Sequence, residues 1–164
     1  MAAAVALPAS TAHAEGLPLA SSIRNVESGG CVTAQNASYR DGDFSVPYAV
    51  TMENCKASDL LRQKWIYDPL TQQISSAAYP ARCITNRAGF YTNYLLSALV
   101  LDPCDPKNES QKWGRFRSAF RGEYKIESPN DSSVAWKTHT IGSVFWPGYV
   151  GSPSPEERYT FTVL

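Results

Sequence analysis

The chain has 164 residues, enough for one domain around a single core and too few for two of ordinary size. Its 15 Lys and Arg balance its 15 Asp and Glu, so it lacks the basic footprint that binds a nucleic-acid backbone. With 43% hydrophobic, 18% charged and 12% aromatic residues, and with 10 Gly and 11 Pro, the composition excludes a disordered chain and favours short strands and turns over long helices.

Met1 to Ala14 reads as an export signal: an apolar run ending in Ala12-His13-Ala14, the small-x-small pattern of a cleavage site. The first basic residue is Arg24, so the basic start of such a signal is missing, and the competing reading is an alanine-rich disordered tail. Residues 15–19 are expected to be a disordered linker and residues 20–164 the folded domain. Further along, Arg40-Asp41-Gly42-Asp43 reads as a hairpin tip, and Ala49–Met52, Lys64–Tyr67 and Tyr159–Val163 alternate as strands do. Leu95–Leu101 is the longest apolar run after residue 20, and Pro103 behind it argues for a buried strand over a helix. It falls short of the roughly 20 residues that a membrane-spanning helix needs, so no membrane span is expected.

The four cysteines, Cys31, Cys55, Cys83 and Cys104, include no close pair and no histidine cluster, which favours disulfides over a metal site. Three pairings are possible; the spacings of 24 residues from Cys31 to Cys55 and 21 from Cys83 to Cys104 favour the sequential one. Each pair is followed by a Gln-x-Trp box, Gln63-Lys64-Trp65 and Gln111-Lys112-Trp113, the tryptophans lying 48 residues apart. A degenerate third copy aligns Ser143–Gly148 with Leu99–Cys104, Lys125–Ser128 with Gln73–Ser76, and Glu157-Arg158-Tyr159 with the boxes. It has lost both cysteines together, as a disulfide requires. Repeats of about 50 residues, none able to bury its own apolar face, predict a closed all-β structure with one shared core.

Paired cysteines and Gln-x-Trp boxes at this spacing resemble the ricin B-type lectins, and the resemblance implies a β-trefoil over about residues 20–164. It also implies that Trp65, Trp113 and Tyr159 are core residues. In that family a sugar is held by an aspartate two residues after the first cysteine, a glutamine and an aromatic residue before the second, and an Asn-Gln pair entering the box. Here the aspartate position holds Thr33 and Thr85, and in the third repeat falls near Trp136 or Lys137; the aromatic position holds Glu53 and Asp102, and only Trp146 in the third repeat keeps an aromatic; Asn is replaced by Arg62 and Ser110. The first two repeats thus read as retained for structure. The third concentrates aromatic residues, and Trp146, Trp136 and Tyr149, with Glu157 or Asp131 as carboxylate, form the candidate ligand site. Trp136 and Phe145 have a competing reading, as filler for the space of the missing cysteines.

Catalytic chemistry finds no support. His13 and His139 are the only histidines, and neither a nucleophile elbow nor a phosphate loop occurs. No cofactor and no metal are expected. The leading expectation is a secreted carbohydrate-binding domain whose partner is a glycan or glycoprotein. Similarity of Cys83–Thr85 and Leu101–Cys104 to the trefoil subunits of cytolethal distending toxins makes the alternative an accessory or receptor-binding subunit partnered by a toxin enzyme. A protease inhibitor presenting Gly151–Pro155 comes third, the Gln-x-Trp boxes speaking against it.

Overall fold

The structure, a computed structural model, describes residues 20–36, 39–41, 44–46, 48–87, 98–120, 123–130, 134–137, 146–149 and 161–163. The export-signal and linker assignments lie outside these residues. Fourteen short strands occur among the described residues, with two 3-10 turns at Ala57–Asp59 and Glu109–Gln111. In chain order they are β1 (Ile23–Asn25), β2 (Cys31–Ala34), β3 (Tyr39–Asp41), β4 (Phe44–Val46), β5 (Val50–Glu53), β6 (Trp65–Asp68), β7 (Gln73–Ser76), β8 (Arg82–Arg87), β9 (Ala98–Pro103), β10 (Arg115–Phe120), β11 (Glu123–Glu127), β12 (Val134–Lys137), β13 (Trp146–Tyr149) and β14 (Phe161–Val163). The all-β expectation holds, and the apolar run before Pro103 is a strand over 98–101, with Leu99, Val100 and Leu101 buried. Asp41 pairs with Phe44 across β3 and β4, the register of the tight hairpin read from the sequence.

Period-two alternation sorts side chains between core and exterior. In β6, Trp65 and Tyr67 are buried while Asp68 is exposed. Antiparallel pairing runs β6-β7-β8-β9 in one sheet, and β13-β12-β11-β14-β1-β2-β5 in another that also takes β10 against β11. Two isolated bridges, Ser21 to Trp65 and Ala49 to Val100, tie the sheets together. At the second bridge Leu101 N–H donates to the Tyr48 carbonyl at 2.8 Å, and the Arg82 guanidinium stacks 3.9 Å above the Tyr48 ring. One apolar cluster fills the interior, drawing Val32, Met52 and Trp65 from the first part of the chain, Ile84, Leu101 and Trp113 from the second, and Ile126, Trp136 and Phe161 from the third. Trp136 meets Trp113 edge-on at 5.4 Å and Phe161 at 6.0 Å between ring centres.

Both disulfides follow the sequential pairing, Cys31–Cys55 and Cys83–Cys104. Between β1 and β2, Gly29 turns the chain with φ at +68° while its carbonyl accepts Arg24 Nε at 2.9 Å. A Cβ there would meet Arg24 Nη2 at 3.2 Å in a backbone conformation that favours glycine. Gly29→Ala is expected to lower unfolding stability by about 1 kcal/mol, measurable as a lower urea midpoint at an unchanged slope. A midpoint equal to that of the parent protein would contradict the strained-turn account.

Candidate functional site

Two Gln-x-Trp boxes build the same hydrogen-bonded frame twice. Gln63 Nε2 donates to Thr33 Oγ1 at 3.1 Å and to the Asn54 carbonyl at 2.9 Å, while its Oε1 accepts Lys56 N–H at 3.0 Å. Gln111 Nε2 donates to Thr85 Oγ1 at 3.0 Å and to the Pro103 carbonyl at 2.9 Å, while its Oε1 accepts Asp105 N–H at 2.9 Å and Gln73 Nε2 at 2.7 Å. Each threonine hydroxyl donates in turn to the carbonyl of the cysteine two residues before it, Cys31 or Cys83. The indoles repeat the pattern, Trp65 Nε1 donating to the Val32 carbonyl at 3.0 Å and Trp113 Nε1 to the Ile84 carbonyl at 2.9 Å. Trp65 and Trp113 are both 1% exposed, as core residues should be, and Tyr159 lies outside the described residues.

These frames explain the threonines. An ionised aspartate has no proton to donate to the cysteine carbonyl, whereas Thr33 and Thr85 donate to one side and accept from the other. The carboxylates nearby are likewise engaged by the chain. Glu53 accepts Thr51 Oγ1 at 3.0 Å, and Gln35 Nε2 donates to the same Thr51 oxygen at 2.7 Å. Asp102 pairs with Arg87 at 2.5 Å, their side chains being 24% and 41% exposed. An ion pair so close to solvent adds at most about 1 kcal/mol to stability; its larger effect is to occupy the carboxylate. Sequence reading missed Gln35 and Arg87, each four residues after a first cysteine, as the partners that close these positions.

In the third repeat the strand register revises the sequence alignment. Cys31 pairs with Glu53, Cys83 with Asp102, and Ala135 with Gly148. Gly148, and not Trp146, therefore stands at the place of the family's aromatic, and Trp146 lies opposite Lys137. Trp136 is corrected as a ligand residue: it is 0% exposed because it takes the core position that Ile84 and Val32 hold in the other repeats, and it offers no face to a ligand. Trp146 and Tyr149 are both on β13, paired with β12. Asp131, Glu157 and Phe145 lie outside the described residues.

Two clefts open among the described residues. One, of about 220 Å³, runs along the Cys31–Cys55 bridge and is lined by Arg24, Lys56, Leu60 and Gln63. The other, of about 210 Å³, lies where the second repeat meets the third and is lined by Asn86, Glu109, Ser110, Lys112, Ser128 and Asn130, with Trp113 at its base. Lys112 Nζ donates to Glu109 Oε1 at 2.5 Å and Asn130 Nδ2 donates to Glu109 Oε2. The Lys112 hydrogen bond outweighs an opposing desolvation and, with the Lys112 charge and Asn130 adding to it, holds the Glu109 carboxyl below the usual range. The carboxylate therefore stays ionised below the ordinary glutamate range, and this link between repeats is lost as pH falls through that lowered value. Asn86 Oδ1 on the same wall is buried and accepts no hydrogen bond from the described residues, an arrangement that costs about 1–3 kcal/mol when no donor arrives. Among the described residues no three His, Cys, Asp or Glu side chains cluster as metal ligands, and no helix is long and apolar enough to cross a membrane.

No family model matches the sequence, and no curated protein matches it. Solved structures do resemble the fold. The designed threefold-symmetric protein ThreeFoil superposes at a TM-score of 0.63 with 15% identity, over 88% of this chain and 97% of that one. The C-terminal half of an earthworm R-type lectin, solved with GalNAc, gives 0.60 with 13% identity, over 89% and 98%. A mosquitocidal holotoxin gives 0.63 with 16% identity over 88% of this chain, which matches 17% of the toxin. The chain has the β-trefoil fold of the ricin B-like lectins.

Proposed function

We propose that the protein is a secreted carbohydrate-binding domain of the ricin B type, exported by the segment 1–14, with one divergent glycan site in the third repeat. The observation that carries this reading is the internal closure of the first two repeats. Thr33, Thr85, Glu53 and Asp102 all have partners within the chain. Such positions serve the fold and leave sugar recognition to the repeat built differently. There β13 carries Trp146 and Tyr149, aromatic residues of the kind that stack on the apolar face of a pyranose, and Glu157 and Asp131 are the carboxylates proposed to accept its hydroxyls. The chemistry is binding rather than catalysis, and the partner is a glycan or glycoprotein.

The test is a glycan array probed with the oxidised protein and its Trp146→Ala variant. Saturable binding lost in the variant is expected. Binding that survives the substitution removes Trp146 from the site, and a folded protein silent on every glycan overturns the carbohydrate reading. The likeness to one part of a mosquitocidal holotoxin favours one second reading, a receptor-binding or accessory subunit of a secreted toxin, which predicts stable association with an enzyme subunit.

A further inference from the structure

Repeats provide an internal control for the cleft between the second and third. At the positions equivalent to its lining, the first repeat has Ala34 where the second has Asn86, Leu61 for Glu109 and Arg62 for Ser110, and the second repeat has Ala78 where the third has Asn130. Ala34 is fully buried in an otherwise equivalent strand, so the fold does not need an amide there. Yet Asn86 brings a buried carbonyl oxygen with no donor among the described residues onto the wall of a solvent-connected cleft. Unpaired buried acceptors are rare in folded proteins and mark places where something else supplies the donor.

The rest of the lining says what that donor belongs to. Glu109 accepts, Lys112 donates, and Ser110, Ser128 and Asn130 do both. Glu109 and Lys112 neutralise one another at 2.5 Å, so the cleft has no net charge with which to select an anion or a cation. Neutral walls that both donate and accept suit hydroxyl groups, which also do both. A volume of about 210 Å³ is below the range for drug-sized ligands and suits a single ring.

We propose that this cleft is a second saccharide subsite, binding the hydroxyl-bearing edge of one neutral sugar residue. It takes in Ser110, which stands at the family's Asn position, but none of the Thr85, Asp102 and Gln111 positions of the ricin-type pocket, and it adds Asn86 together with Ser128 and Asn130 of the next repeat. Turning about its terminal torsion, which is broad for asparagine, carries the Asn86 carbonyl oxygen toward a sugar hydroxyl. The proposal rests on the carbohydrate reading but not on Trp146.

The experiment is a two-dimensional amide NMR titration of the full oxidised chain with galactose, N-acetylgalactosamine, glucose, mannose and N-acetylglucosamine at millimolar concentrations. At least one sugar is expected to shift, saturably, the backbone signals of Ser110 and Lys112 and the side-chain amides of Asn86 and Asn130. Asn86→Ala and Ser110→Ala, each checked for a native spectrum, should weaken that response by about tenfold, and Trp146→Ala should leave it intact. An unchanged response in both variants, or sugar shifts confined to other residues, overturns the subsite while leaving the carbohydrate reading standing. Silence with every sugar overturns the subsite too, and the array then decides whether the carbohydrate reading falls with it.

Discussion

Trp113→Ala is expected to lower the stability of the folded protein by about 3–5 kcal/mol, a large share of the 5–15 kcal/mol typical of a domain. The indole is 1% exposed, touches Trp136 edge-on and donates to the Ile84 carbonyl. Its removal loses buried apolar area, opens a cavity shared by two repeats and leaves a buried acceptor unpaired. Trp65, with the same burial and the matching bond to Val32, should behave alike. Leu70→Ala provides the contrast, because Leu70 is 94% exposed and surface truncations usually stay within about 0.5 kcal/mol. Urea unfolding followed by far-ultraviolet circular dichroism gives all three values. A Trp113→Ala loss under about 1 kcal/mol would falsify the shared-core account.

Those tryptophans are also why the fold was legible. Large aromatic side chains at a fixed spacing, each behind a cysteine pair, mark positions that a shared core must fill identically. The marker fades in the third repeat, where Ala135 stands in place of a first cysteine. Aligned on Pro103 and Pro147, Trp146 falls on the family's aromatic position; strand pairing puts Gly148 there. In a strand, a slip of one residue moves a side chain to the opposite face. Trp136 read as two residues after the missing cysteine takes the place of Thr33 and Thr85 in the glutamine frame, and read as one residue after it takes the place of Val32 and Ile84 in the core, where it is found.

The candidate site was legible by subtraction only. That Thr33 and Thr85 replace an aspartate is plain from the sequence; that each bridges a glutamine amide to a cysteine carbonyl needs the three-dimensional frame. The cleft between the second and third repeats is beyond sequence reading for a different reason. Asn86 lies in β8, Glu109 in the second 3-10 turn and Asn130 in the bend after β11, and only closure of the trefoil brings them to one wall. Its advance signals are the exchanges between repeats, above all Ala34 for Asn86 in equivalent strands, which stand out once the strand register is known.

Replacing either cysteine pair by serine is expected to remove roughly 3–4 kcal/mol, the loop-closure entropy restored to the unfolded chain by links spanning 24 and 21 residues. The two bridges should contribute nearly equally, because the logarithm of loop length hardly distinguishes them. Cys31 and Cys83 are buried at 4% and 1% exposure, so the serine left at each adds a small polar-burial penalty of its own. Cys→Ala pairs separate that penalty from the cross-link. The third repeat supplies the reason the fold tolerates a missing bridge: Ala135 fills the cysteine position while Trp136 beside it adds an indole packed on Trp113 and Phe161. Removing one bridge together with Trp136→Ala should therefore leave no folded protein, whereas removing one bridge alone leaves a weakened trefoil that unfolds cooperatively at a lower denaturant midpoint. If the single-bridge variants unfold at the parent midpoint, covalent closure of the first two repeats contributes nothing and burial alone holds the trefoil.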